Sequence, residues 1–189
     1  MAGIGVQSWV YREFSPEEIV EGVADLPVDA IEPCRRHIAP GADDDEVAAF
    51  RETFESAGIS VCGFGVYSFE SVADVEPALD LAAGLGADYV SADFAPGDEA
   101  VIDVLLSGAE ERDLLVAVHN HGPGATYSTV EELVAVLEGR DRRLGACVDS
   151  GHYFRSGQAP DHVIPALGER VHAVHFKDFA DPETEVVPG

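Results

Sequence analysis

Short apolar runs alternate with amphipathic stretches along the whole chain. Ile4 to Val10 reads as a first strand. Ser15-Pro-Glu-Glu18 is then a capping box with proline at the first helical position, opening a helix to about Asp25. Ala30 to Cys34 is a second strand, and a helix from about Asp43, acidic in its first turn, ends at Ala57-Gly58. Ser60 to Val66 is a third strand, followed by a helix over roughly Val75 to Leu85. Asp88 to Ala92 is a fourth, with its helix over Asp98 to Arg112. Leu114 to His119 is the fifth, and Ser128-Thr-Val-Glu131 reads as a second capping box opening a helix to about Glu138. Leu144 to Asp149 is the sixth strand, Pro160 to Leu167 a short helix, and Val171 to Phe176 the seventh strand.

Strands that alternate with helices in this way form βα units around a parallel sheet. A doubly wound sheet usually carries a glycine-rich phosphate turn after its first strand. Here that strand runs into Gln7-Ser-Trp-Val-Tyr-Arg12, so a barrel is preferred. A complete (β/α)8 TIM barrel takes about 250 residues. The expectation is therefore an α/β fold, a TIM barrel truncated after its seventh strand. It would be a single domain over residues 1–189, ending in a loop at Glu185-Val-Val-Pro-Gly189 without its last βα unit. A fragment is preferred to an open barrel, whose two unpaired edges natural proteins avoid.

Charge changes the picture more than hydrophobicity does. Thirty-six acidic residues face 11 basic ones, a formal net charge of -25, and Lys177 is the only lysine. Such a surface repels itself at low salt, suits a cation-rich cytoplasm and reads as a halophile's signature. It argues against a nucleic-acid partner, whose phosphates need basic contacts. No apolar run reaches the length of a membrane span, and the amino terminus lacks a signal-peptide pattern, so a cytoplasmic protein is expected, a homo-oligomer being allowed. Cys34, Cys62 and Cys147 are widely spaced and read as small hydrophobes rather than as a disulfide framework or zinc knuckle.

The candidate chemistry lies where apolar runs end. Strand side chains alternate, so Ala117, His119 and His121 share a side, as do Gly145, Cys147 and Asp149, then Ala173, His175 and Lys177, and Ala30 with Glu32. Small residues line each strand and a polar one follows toward its carboxyl end, where an α/β barrel keeps its site. The converging set is Glu32, His119, Asp149 and His175. Carboxylates and imidazoles together suit a divalent ion such as Mn, Co, Fe, Zn or Mg, which would polarise a carbonyl or hydroxyl oxygen. Asp149-Ser-Gly also reads as a turn closed by an Asx hydrogen bond, and Glu32 as a carboxylate paired with Arg35 or Arg36.

Asp149-Ser-Gly-His152 and His172-Ala-Val-His175-Phe-Lys-Asp178 resemble the signature of the xylose isomerase-like TIM barrel superfamily. Its members include sugar phosphate isomerases and epimerases, inosose dehydratases and endonuclease IV. The resemblance implies Asp149 and His175 as metal ligands and His152 as a substrate-binding residue. Glu32-Pro-Cys-Arg-Arg-His37 resembles the superfamily's second-strand motif, with His37 over the pocket. His119 stands where many relatives have glutamate and is taken as the third ligand. His121, Lys177 and Glu32 are then candidates for acid or base. The function implied is a metal-dependent isomerase or epimerase of a sugar or polyol. A lyase or dehydratase sharing the same proton abstraction, and an inactive ligand-binding relative, are the alternatives; endonuclease IV-type DNA repair ranks last, for want of additional His and Glu ligands and of a DNA-compatible surface.

Overall fold

The computed structural model describes residues 3–186. Its strands are β1 (Gly5–Gln7), β2 (Ala30–Glu32), β3 (Ser60–Val61), β4 (Gly63–Phe69), β5 (Tyr89–Phe94), β6 (Leu115–His119), β7 (Leu144–Asp149), β8 (Val171–His175), β9 (Asp178–Asp181) and β10 (Thr184–Val186). The helices are α1 (Pro16–Val23), α2 (Asp44–Glu55), α3 (Val75–Leu85), α4 (Glu99–Glu111), α5 (Val130–Leu137), α6 (Ser150–Arg155) and α7 (Pro160–Leu167). β1, β2 and β3 pair in parallel, and β4 to β8 form a second parallel sheet in chain order. The α/β barrel architecture expected from the alternation is present.

β3 and β4 are two halves of the predicted third strand. The Cys62 N–H donates to the Ile31 carbonyl (2.9 Å), while its own carbonyl accepts from Asp88 N (3.1 Å). The first half thus pairs with β2 and the second with β5, and Cys62 joins the two sheets.

Helix starts follow local chemistry. Ser15 and Glu18 form the expected capping box, and Asp43 and Glu46 form another. The third is one residue later than expected. Thr129 caps Glu132, because the Glu132 carboxylate reaches back to Thr129 N (3.1 Å). β1 is shorter than its apolar run, since the Gln7 side chain accepts from Trp9 N (2.6 Å) and turns the chain into a 3-10 helix at Ser8–Tyr11. β5 runs two residues past Ala92. The expected carboxyl-terminal loop is instead an antiparallel hairpin of β9 and β10, with 187–189 outside the described residues.

The core lies between helices and the outer face of the sheet. Val90, Val116, Val118, Leu144, Ala146 and Val148 meet Leu79, Ile102, Leu105 and Leu133, all fully buried. The inner face is different: glycine, alanine and polar residues occupy it. A Cβ at Gly63 would run into the Tyr89 ring, so glycine is needed for that ring to lie across the interior. Among the described residues no helix is long and apolar enough to cross a membrane.

Gly63→Ala is expected to displace Tyr89 and to lower stability by about 1–3 kcal/mol, the usual cost of overpacking. The measurement is urea unfolding. An unchanged midpoint would show that the ring yields freely.

Candidate active site

Four strands bring their carboxyl ends together. Asp149 on β7 lies in register with His175 on β8, and His119 on β6 with Cys147 on β7. His119 Nε2 and His175 Nδ1 are 3.1 Å apart. The other nitrogen of His175, Nε2, lies 2.7 Å from Glu32 Oε2 on β2, and that same oxygen accepts from the Tyr89 hydroxyl at 2.8 Å. Glu32 is therefore held by Tyr89 and His175, whereas Arg35 and Arg36 are exposed. The expected pairing of Glu32 with an arginine gives way because the carboxylate points into the interior.

Asp149 is wholly buried. Its Oδ1 accepts from His152 N (2.9 Å) and so starts α6 immediately at the end of β7. The Asx turn read from the sequence is thus also a helix cap. Its Oδ2 lies 2.9 Å from Lys177 Nζ and 3.7 Å from both His119 Nε2 and His152 Nε2. The lysine ammonium makes an ion pair there without an aligned hydrogen bond. Burial works to raise the Asp149 pKa, but the neighbouring His119 imidazole and the Lys177 charge outweigh it and hold the carboxyl well below the usual range. Asp149 is ionised at neutral pH.

Two neighbours fix this carboxylate. Asn120 accepts from Asp149 N (2.7 Å) and donates to the Asp149 carbonyl (3.1 Å), extending the β6–β7 ladder with a side chain. Ser150 donates to the Lys177 carbonyl (2.8 Å) and accepts from Lys177 N (2.9 Å), which folds the loop after β8 back over Asp149. That loop passes so close to Gly151 that a Cβ there would meet the Phe179 ring.

The imidazoles differ in charge. Burial opposes the His175 imidazolium, but the Glu32 carboxylate outweighs it and pushes the pKa up to about 11. His119 and His152 are pushed down, chiefly by burial, His152 to about 4, so both are neutral at pH 7. His121 lies 3.5 Å from Asp93 Oδ2 at the end of β5, and its ring is 4.9 Å from that of His119.

The structure thus gathers Glu32, His119, His121, Asp149, His152, His175 and Lys177. His37 is engaged elsewhere: its nitrogens meet the Ser8 hydroxyl (2.9 Å) and the Tyr11 carbonyl (3.1 Å) of the 3-10 helix after β1. It also borders a groove of about 430 Å³ lined with Pro40, Glu46 and Phe50, which contains none of the gathered residues. Sequence reasoning missed Asp93, Tyr89, Asn120 and the nearness of Cys147. Only Asn120, flanked by His119 and His121, carried a signal.

The donors fit a divalent ion. His119 Nδ1 and Asp149 Oδ2 are buried without a hydrogen-bond partner, and two imidazole nitrogens already face each other. Glu32 behind His175 is the carboxylate–histidine support that orients metal-bound imidazoles. Asp149, His119 and His175 would hold the ion.

The class of protein that the fold and site define is a parallel α/β barrel with imidazoles and carboxylates massed at its strand ends. The xylose isomerase-like TIM barrel family matches residues 20–187, and the chain belongs to it. Among curated proteins it is 24% identical over 171 residues to "Probable endonuclease 4" of Thermoplasma acidophilum, a match over 76% of this chain and 61% of that one. It is 28% identical over 142 residues to the protein of the same name in Natronomonas pharaonis, over 62% of this chain and 50% of that one. The chain thus spans less than two thirds of the length of either relative. A solved structure of an uncharacterised Parabacteroides distasonis protein superposes with a TM-score of 0.78 at 26% identity, covering 94% of this chain and 75% of that one. D-psicose 3-epimerase of Clostridium cellulolyticum shares the fold with a TM-score of 0.76 at 16% identity, covering 92% and 72%. The two endonuclease names leave the charge-based expectation of no nucleic-acid partner without support.

Asn120→Ala would leave the buried Asp149 N–H without an acceptor. The expected loss is about 1–3 kcal/mol, read from urea unfolding. No change in midpoint would refute the clamp.

Proposed function

We propose that the chain is a divalent-metal-dependent isomerase or epimerase that moves a proton beside the carbonyl of a small sugar or polyol. The observation that carries this reading is Lys177 lying 2.9 Å from a buried, ionised Asp149, beside the facing pair His119 and His175. An ion bound there supplies Lewis-acid polarisation of a substrate oxygen. Lys177 places a fixed positive charge where negative charge grows on that oxygen as the proton leaves, which costs no reorganisation at the moment of reaction. His121, backed by Asp93, is the group placed to take the proton and return it. His152, neutral and with a buried Nδ1 lacking a partner, offers a hydrogen bond to a substrate hydroxyl. Glu32 acts through His175 and not on substrate. The likeness to D-psicose 3-epimerase speaks for the fold alone, so the reading rests on these side chains.

Loss of the same proton followed by expulsion of a β-substituent would make the chain a dehydratase, and product analysis separates the two. Phosphodiester cleavage is a second reading, favoured by the two relatives named for an endonuclease and by the imidazoles around Asp149. The net charge of -25 weighs against it.

Elemental analysis of the purified chain is expected to find stoichiometric Mn, Co, Fe or Zn, lost in Asp149→Ala and His175→Ala. Lys177→Met should keep the metal and lower kcat on a ketose about 10²–10³-fold. Nicking of intact or depurinated plasmid DNA without any ketose conversion would overturn the isomerase reading in favour of the second. Folded chain without metal would overturn both.

A further inference from the structure

Cys147 lies on the inner face, and the proposed reaction does not use it. It lies on β7 two residues before Asp149 and in register with His119. The side chain is fully buried but stands outside the main hydrophobic core cluster. Its sulfur, one nitrogen of His119 and one nitrogen of His175 all lie within 4.8 Å of one another. The His119 nitrogen that faces His175 is Nε2, 3.1 Å from His175 Nδ1, on a side chain only 4% exposed.

We propose that Cys147 is a thiolate ligand of the divalent ion, forming with His119 and His175 a triad at the floor of the site. Asp149 stands one level higher, two residues further along β7. The proposal rests on the metal-dependent reading above. On binding, the Cys147 S–H bond and the Nδ1–H bond of the His175 imidazolium break, both protons pass to solvent, and a sulfur–metal and a nitrogen–metal bond form, since ligands bind deprotonated. No electron is transferred. Two imidazoles and a thiolate are a borderline-to-soft donor set, which selects zinc, cobalt or ferrous iron over magnesium and manganese. The class of ion is thereby set by a residue below the substrate. Asp149, one level higher on the same strand, completes the donor set.

The test is optical spectroscopy of the whole chain loaded with Co²⁺. A thiolate-to-cobalt charge-transfer band in the near ultraviolet is expected, absent from Cys147→Ser and retained in Cys34→Ser and Cys62→Ser. Cobalt should stay bound in Cys147→Ser through the remaining donors. Should that variant fail to fold, the wild-type spectrum alone decides, because neither other cysteine belongs to the cluster. Cobalt bound stoichiometrically to wild type without the band would overturn the thiolate and leave the metal-dependent reading standing. No cobalt bound to folded wild type would overturn both.

Discussion

Glu32 and His175 meet across the barrel at 2.7 Å, joining β2 to β8 over 143 residues of chain. A buried carboxylate is costly unless a partner neutralises it, and the cost is several kcal/mol per ion even after relaxation. Here one oxygen serves both the imidazole and the Tyr89 hydroxyl, so three strands converge on a single acceptor. That contact fixes which nitrogen of His175 faces inward. Everything else in the site is then arranged around Nδ1: His119 at 3.1 Å, Cys147 below and Asp149 beside it in register. Were Glu32 turned outward to an arginine, as its neighbours in sequence suggest, His175 would lose the support that aims it.

The two ends of the barrel use their charges differently. Arg112 and Arg140 lie at the carboxyl ends of α4 and α5. They donate to the Gly108 and Val136 carbonyls and pair with Asp80 and Glu99, where cations complement helix dipoles. Arg170 donates to the carbonyls of Arg140, Asp141 and Leu144 just before β8 begins. These arginines close the amino-terminal face of the sheet, where conservation of geometry serves stability. The lone lysine is at the opposite face and pairs with a buried acid. A flexible ammonium is a point charge and does not form the planar fork that caps carbonyls so well.

Much of the barrel was legible because its helices carry caps and its strands are apolar runs with polar ends. Val75–Leu85 and Leu144–Asp149 could be read directly for that reason. The gathering of Glu32, His119, Asp149 and His175 followed from strand alternation. What stayed hidden depended on neighbours in space. Asp93 looked like a loop residue, yet β5 extends through it because Ser68 and Phe69 of β4 continue the pairing. Cys62 marks a change of partner strand, which no local pattern encodes. Cys147 reads as a small hydrophobe until register sets it beside His119. α6 is too short, and too rich in turn formers, to announce itself.

Asp149 ends a strand, starts a helix and carries the negative charge on which Lys177 rests. Asparagine is as good a helix cap as aspartate, and alanine is not. Asparagine here would keep the cap and discard the charge. Capping asks only for an oxygen at residue 149, which Oδ1 supplies, whereas the ion pair asks for a full charge, which falls on Oδ2, so the two demands rest on different atoms of one side chain.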